Sequence, residues 1–197
     1  LPPASYAHEQ EKVSHRWPAA VEFIRSRQLN EVFGSASGKI GIVMQGGMYN
    51  GVIRALQRLG LADLYGETHV PLYVLNVTYP LVEDEFLSFC EGKSAVLVVE
   101  EGQPAYIEDA MAAILYRARS SVELSGKDVL PMAGEYIGQH VLEGVTAFLA
   151  RYAPEELPAG TEQSQNVPTG EQVNDLSDTV PVRPPSFCTG CPERPLF

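Results

Sequence analysis

The order of apolar segments predicts a three-layer α/β sandwich built on a mostly parallel sheet. Three observations carry that prediction. Short continuous apolar runs at Ile40 to Met44, Leu72 to Val77 and Ala95 to Val99 have the composition of strands buried on both faces. Each run is followed by a segment whose apolar residues recur at helical spacing. Strands that alternate with helices in this way run parallel, because a parallel return needs a crossover connection.

Residues 1–33 are expected to form a leading linker and one helix. The start is polar and contains prolines, and from Pro18 the residues Val21, Ile24, Leu29, Val32 and Phe33 make a loose helical stripe behind a proline suited to a helix start. A domain spanning 34–153 follows. Its first strand, Ile40 to Met44, lies between Gly38 and Gly46 and leads to a helix at Tyr49 to Leu59, with Val52, Leu56 and Leu59 inward and Gly60 as its cap. After the strand in PLYVLNV, Pro80 is expected to open a helix that turns Val82, Phe86, Phe89 and Cys90 inward and ends at Gly92. The strand in AVLVVEE passes through Gly102 and Pro104 into a helix with Ile107, Met111, Ile114, Leu115 and Ala118 on one face. A shorter strand around Asp128 to Met132 and a helix from Gly134 to Tyr152, with Val141, Leu142, Val145, Phe148 and Leu149 inward, complete the domain. Residues 154–185 are polar, acidic and punctuated by proline without periodicity, which is the composition of a linker.

Charge and composition exclude several functions. The chain has 14 basic and 25 acidic residues, a formal charge of −11 that repels phosphate backbones, so nucleic acid is not the expected partner. No stretch matches a membrane span, and LPPASYAHEQ has neither the basic nor the apolar region of a secretion signal. Three cysteines, Cys90, Cys188 and Cys191, are too few and too unevenly spaced for a disulfide framework, which points to the cytoplasm. The chain begins at Leu1 and is expected to be a piece of something longer.

The turn QGGMYNG, residues 45–51, is the foremost candidate ligand loop, since open α/β folds bind ligands at strand carboxyl ends and helix N-termini attract anions. It lacks the Lys and Ser or Thr of a phosphate-binding P-loop and does not have the G-x-G-x-x-G spacing. Gly46, Gly47, Tyr49 and Asn50 therefore either form a purely structural turn, the glycines supplying positive φ, or touch a cofactor or neighbouring domain. Glu100 and Glu101 end the third strand at the same edge. Adjacent strand residues point to opposite faces, so they are no paired acid and base; one is expected solvated and one in a turn hydrogen bond, with Glu101 a weak candidate for a cofactor contact. Glu83, Asp84 and Glu85 fit the first turn of a helix, where acid complements the dipole. His8, His15, His69 and His140 are scattered, and Cys90 falls on an apolar stripe as a core residue. The C-x-x-C of Cys188 and Cys191 has the spacing of a metal or iron–sulfur ligand pair, yet PERPLF downstream adds no Cys or His.

RPPSFCTGCPER resembles the C-x-G-C-P segment that opens the diphosphate-binding domain of thiamine diphosphate dependent 2-oxoacid:ferredoxin oxidoreductases. VTYPLVEDEFLSFCEGKSAVLVVEEGQPAYIED and GGMYNGVIRALQRLG are similar to the middle domain of the indolepyruvate-specific alpha subunits in that family. The resemblance implies a middle domain like the carboxyl-terminal domain of transketolase, with residues 186–197 as the truncated start of the diphosphate domain. It implies a full-length enzyme that decarboxylates an aryl 2-oxoacid such as indolepyruvate to an acyl-coenzyme A and reduces ferredoxin, using thiamine diphosphate, magnesium and iron–sulfur clusters. The thiamine-activating glutamate would lie before Leu1 and the magnesium motif after Phe197, leaving no catalytic residue here. Cys188 and Cys191 would be two of four cluster ligands, and Glu193 stands where the family has histidine. No cofactor is expected on this piece alone, whose partners would be the other domains of the polypeptide, in a homo-oligomer. A self-sufficient α/β domain that takes a nucleotide or coenzyme A at QGGMYNG is the alternative.

Overall fold

The computed structural model describes residues 2–35 and 37–158. Five strands form one sheet: β1 (Glu31–Phe33), β2 (Ile40–Gln45), β3 (Leu72–Leu75), β4 (Ala95–Val99) and β5 (Glu123–Ser125), in the spatial order β1-β3-β2-β4-β5. Strands β3, β2, β4 and β5 run parallel, with Ile42 opposite Leu72 on one side and Leu97 on the other. β1 alone is antiparallel, pairing Glu31 with Val74 at one edge.

The three central strands are apolar because both their faces are covered. On one face Val43, Tyr73, Leu75, Val96 and Val98 pack with Phe86, Phe89 and Cys90 of α4 (Glu83–Cys90) and with Ile107, Met111, Ile114 and Leu115 of α5 (Tyr106–Arg117). The alternate residues Ile42, Met44, Leu72, Leu97 and Val99 are equally buried. Helices α3 (Tyr49–Arg58) and α6 (Gly138–Tyr152) pack on each other, Gly51 standing close enough that a Cβ there would meet Val141 at 3.7 Å. The predicted layered α/β architecture with a mostly parallel sheet is the one observed. Gly60 and Gly92 end α3 and α4 at φ of +72° each, a conformation that side chains resist.

Several segments differ from the sequence reading. The polar lead is helical, α1 covering Ala4–Glu11 and a π-type turn at Lys12–Arg16 joining it to α2 (Trp17–Ser26). Its helicity is local, since α1 buries no residue. Val32 and Phe33 belong to β1 and not to the helical stripe, because the chain turns at residues 27–30 and lies along β3. That turn is anchored by Asn30, 8% exposed, whose amide donates to Glu85 and whose oxygen accepts the Val77 N–H at 3.0 Å. Pro80 precedes α4 without opening it, β3 stops at Leu75, and Ala118 is an exposed helix end.

The fifth strand is Glu123–Ser125 and not Asp128 to Met132. The apolar Leu130 that suggested the later strand is buried from a loop, its side chain against the open backbone of Gly144 in α6. Helix α6 begins at Gly138, four residues after Gly134.

Candidate functional site

The carboxyl ends of the parallel strands bring QGGMYNG and the two glutamates to one edge. β2 ends at Gln45, and a single 3-10 turn at Gly46–Met48 carries the chain into α3, which Tyr49 opens. Neither Gly46 nor Gly47 has positive φ, contrary to the turn geometry expected from sequence. Gly46 fits closely for another reason: a Cβ there would stand 2.9 Å from Asn76 Oδ1 and displace that side chain. Gly47 is exposed, with open space where its Cβ would be, and Asn50 is exposed beside it. Tyr49 lies against Phe33, ring centroids 5.5 Å apart.

Both glutamates hold backbone. Glu100 is 4% exposed and accepts the Ile107 N–H at 3.0 Å and the Glu108 N–H at 3.1 Å. It thus caps α5 from seven residues upstream, where no residue at the helix start does so. Glu101 is half-buried and accepts the Tyr136 N–H, while its own N–H donates to Gln45 Oε1 at 3.0 Å, tying β4 to β2. Neither is the freely solvated carboxylate that the sequence suggested for one of them.

Sequence reasoning passed over Lys127, which organises this edge. Its ammonium donates to the Glu100 carbonyl at 2.5 Å, to the Gly102 carbonyl and the Tyr136 hydroxyl at 2.7 Å each, and lies 4.8 Å from the Tyr136 ring centroid. The Tyr136 hydroxyl in turn donates to the Pro131 carbonyl at 2.6 Å. Burial lowers the Lys127 pKa against the pull of Glu100, Glu108 and Glu101, and burial pushes the Tyr136 hydroxyl up to about 12. An isolated lysine in SGKDV carries no motif, so nothing in the sequence marks it.

Next to this knot a cleft of about 400 Å³ opens between Gln45, Thr78, Tyr79, Glu100, Tyr106 and Ile107. Tyr79 and Tyr106 stand at 74% and 72% exposure, so the cleft has an aromatic rim and a floor whose glutamate is already engaged. The cleft therefore offers a shaped aromatic surface whose acid, Glu100, is committed to backbone, while His140 packs edge-on to Tyr136 of the knot, ring centroids 6.4 Å apart.

The other singled-out residues are dispersed. Glu83 pairs with Arg117 at 2.9 Å and Asp84 with Arg25 at 2.6 Å, the latter contact holding the Asp84 carboxyl below its ordinary range. His69 reaches Glu156 at 2.8 Å, His8 lies near Arg16, His15 meets Ser14, and His140 Nδ1 is buried without a partner. Cys90 is buried, and burial raises its thiol pKa to about 11. Among the described residues no three His, Cys, Asp or Glu are grouped to hold a metal ion. No described helix is long and apolar enough to cross a membrane. Cys188, Cys191 and Glu193 lie outside the described residues, as does most of the expected linker.

Residues 30–148 match the family model of the indolepyruvate oxidoreductase domain. The chain is 32% identical over 171 residues to the indolepyruvate oxidoreductase subunit IorA of Methanothermobacter thermautotrophicus, covering 86% of this chain and 24% of that protein. It is 28% identical over 192 residues to IorA of Pyrococcus abyssi, covering 95% and 27%. The chain thus spans about a quarter of the length of these curated relatives. A 2-oxoglutarate:ferredoxin oxidoreductase from Magnetococcus marinus shares the fold with a TM-score of 0.52 at 17% identity, over 75% of this chain and 24% of that one. A split-gene transketolase aligns with a TM-score of 0.45 at 18% identity, over 61% of this chain and 41% of that one. On the match across residues 30–148, this chain belongs to the indolepyruvate oxidoreductase domain family.

Proposed function

We propose that this chain is the non-catalytic middle part of a larger oxidoreductase that oxidatively decarboxylates an aryl 2-oxoacid, indolepyruvate, to an acyl-coenzyme A and passes electrons to ferredoxin. Residues 34–153 are its packing and docking domain, 154–185 a linker and 186–197 the start of the diphosphate-binding domain. The observation that carries this reading is the full engagement of Glu100, Glu101 and Lys127 with backbone and one tyrosine. Groups held in this way maintain the shape of an edge and are not themselves free for proton transfer.

Thiamine diphosphate with magnesium would supply the decarboxylation chemistry and iron–sulfur clusters the electron path, both on other parts of the polypeptide. The described residues offer no cluster of metal ligands, and Cys188 and Cys191 would contribute two of four cluster ligands together with residues elsewhere. The partners are then the remaining domains, with 2-oxoacid, coenzyme A and ferredoxin meeting the whole enzyme, a homo-oligomer of the cytoplasm. Calorimetric titration of the 197-residue chain with thiamine diphosphate and magnesium should give no binding heat. Micromolar affinity would overturn this reading. Anaerobic iron reconstitution should leave this chain colourless and turn a version extended past Phe197 brown.

A second reading has one observation in its favour: Gly47 and Asn50 are exposed at the head of α3, near the aromatic-rimmed cleft. There the domain would itself take coenzyme A or a nucleotide, with Gly46, Gly47, Tyr49, Asn50 and Glu101 as contacts. Titration with coenzyme A separates the two, since shifts clustered at Gly46 to Asn50 support ligand binding and silence there leaves docking.

A further inference from the structure

Beside β1, β3 and α4 a cavity of about 670 Å³ sets the carboxylates of Glu31, Asp84 and Glu85 against Lys93. The aromatic-rimmed cleft of about 400 Å³ at the other end of the strands has a simpler lining and a more telling place in the sheet.

β2 and β4 are neighbours, yet the chain leaves them in opposite directions. From β2 it passes through α3 to β3 on one side, and from β4 through α5 to β5 on the other. Diverging exits leave a crevice between the carboxyl ends of two such strands, the place where open α/β sheets take ligands. Gln45 is the last residue of β2 and Glu100 the first after β4, and both line the cleft. The cleft is therefore the crevice at that switch of direction. Its lining does not include Gly46 to Asn50, so it is a different site from the glycine turn.

Tyr79 and Tyr106 put two rings at its mouth, the first set edge-on by Trp17 at 4.9 Å between centroids, and Leu81 and Ile107 give it an apolar base. Glu100 is the one charged side chain in the lining, its oxygens taken by the N–H groups of Ile107 and Glu108. An anion would meet that carboxylate with no cation to offset it, since Lys127 gives its donors to the Glu100 and Gly102 carbonyls and to Tyr136. A cation would find the carboxylate oxygens already engaged. Neutral donors remain. Gln45 gives its Oε1 to the Glu101 N–H and keeps its amide N–H groups, and the exposed Thr78 hydroxyl has no partner among the described residues.

The geometry points to an uncharged planar aromatic molecule bound in this cleft, its ring against Tyr79 and Tyr106 and a hydrogen-bond acceptor on its edge meeting Gln45 and Thr78. The volume is that of an ordinary small-molecule site, and ring contacts with a neutral hydrogen bond make such a site selective for aromaticity and against charge. This goes beyond the docking reading, which leaves the cleft without a small ligand.

The test uses the whole 197-residue chain and three probes, benzamide, benzoate and cyclohexanecarboxamide, followed by amide NMR shifts. Benzamide at millimolar concentration should give saturable shifts at Gln45, Thr78 and Ile107, with benzoate about tenfold weaker or worse and cyclohexanecarboxamide about fivefold weaker. Tyr79→Leu and Tyr106→Leu, both at exposed positions, should each weaken benzamide about fivefold with the spectrum still dispersed, whereas Tyr116→Leu, exposed on α5 outside the cleft, should leave it unchanged. No saturable response to benzamide, equal binding of benzoate or of cyclohexanecarboxamide, or a benzamide response that survives both cleft substitutions would overturn the proposal.

Discussion

Lys127 and Lys93 stand at opposite ends of the same parallel strands, and the protein treats them differently. Burial lowers the pKa of both. Lys127 follows β5 at the carboxyl edge and fills its donors with Glu100, Gly102 and Tyr136. Lys93 precedes β4 and meets only the face of Phe89. The more deeply set of the two, Lys93, is the one without protein acceptors. The edge where open α/β folds usually bind ligands has its charges committed to structure, whereas the opposite end sets a lysine among the carboxylates of Glu31, Asp84 and Glu85 without a direct pair.

The contrast is broken most forcefully at Lys127. Lys127→Met leaves two carbonyls and a hydroxyl without their donor and should cost about 3 kcal/mol, read as a lower urea midpoint at unchanged slope. Glu100→Ala comes next. It removes the acceptor of two buried N–H groups at the head of α5 and should cost about 2 kcal/mol, with hydrogen exchange accelerating first at Ile107 and Glu108.

The smallest effect is also the most diagnostic, because its sign is opposite. Lys93→Met removes a charge that burial disfavours and should stabilise the chain slightly, by less than about 1 kcal/mol near neutral pH, because the ammonium still reaches water. The folded pKa of Lys93 lies below its ordinary 10.5. Between that lowered value and 10.5 the unfolded chain binds more protons than the folded one, so the wild type gains stability as pH rises through the window. The advantage of Lys93→Met should therefore shrink toward pH 10.5. The Cys90 thiol, raised to about 11, and the carboxyl groups of Glu31, Asp84 and Glu85 that share the cavity lining with Lys93 are common to both proteins. Paired urea titrations across this range check the trend.

The same residues explain what could be read from sequence. β2 and β4 were legible because burial on both faces demands unbroken apolar runs, and α3 and α5 because one buried face imposes helical spacing. β5 was not, since Glu123-Leu124-Ser125 is a three-residue edge strand with a single apolar residue, while Leu130 mimicked a strand from a loop. β1 was hidden inside an apparent helical stripe because its pairing with β3 is set by contacts 39 to 43 residues away. Of the candidate site, its location at the carboxyl edge was legible from the strand–turn–helix order. The knot around Lys127 was not, because its partners are backbone carbonyls, which leave no trace in residue identity. Lys93 in EGKS reads as a surface turn residue until Gly41, fifty-two positions earlier, is seen beneath its stem.

The difference between the lysines is accessible directly from the ammonium groups by nitrogen-15 NMR of the chain in cold, slightly acidic buffer. The Lys127 ammonium should give a sharp resonance with protons protected by its hydrogen bonds, and the Lys93 ammonium should be broadened by exchange with water. A protected Lys93 signal, or a rapidly exchanging Lys127, would contradict the contrast between a cation held by protein acceptors and one left to water.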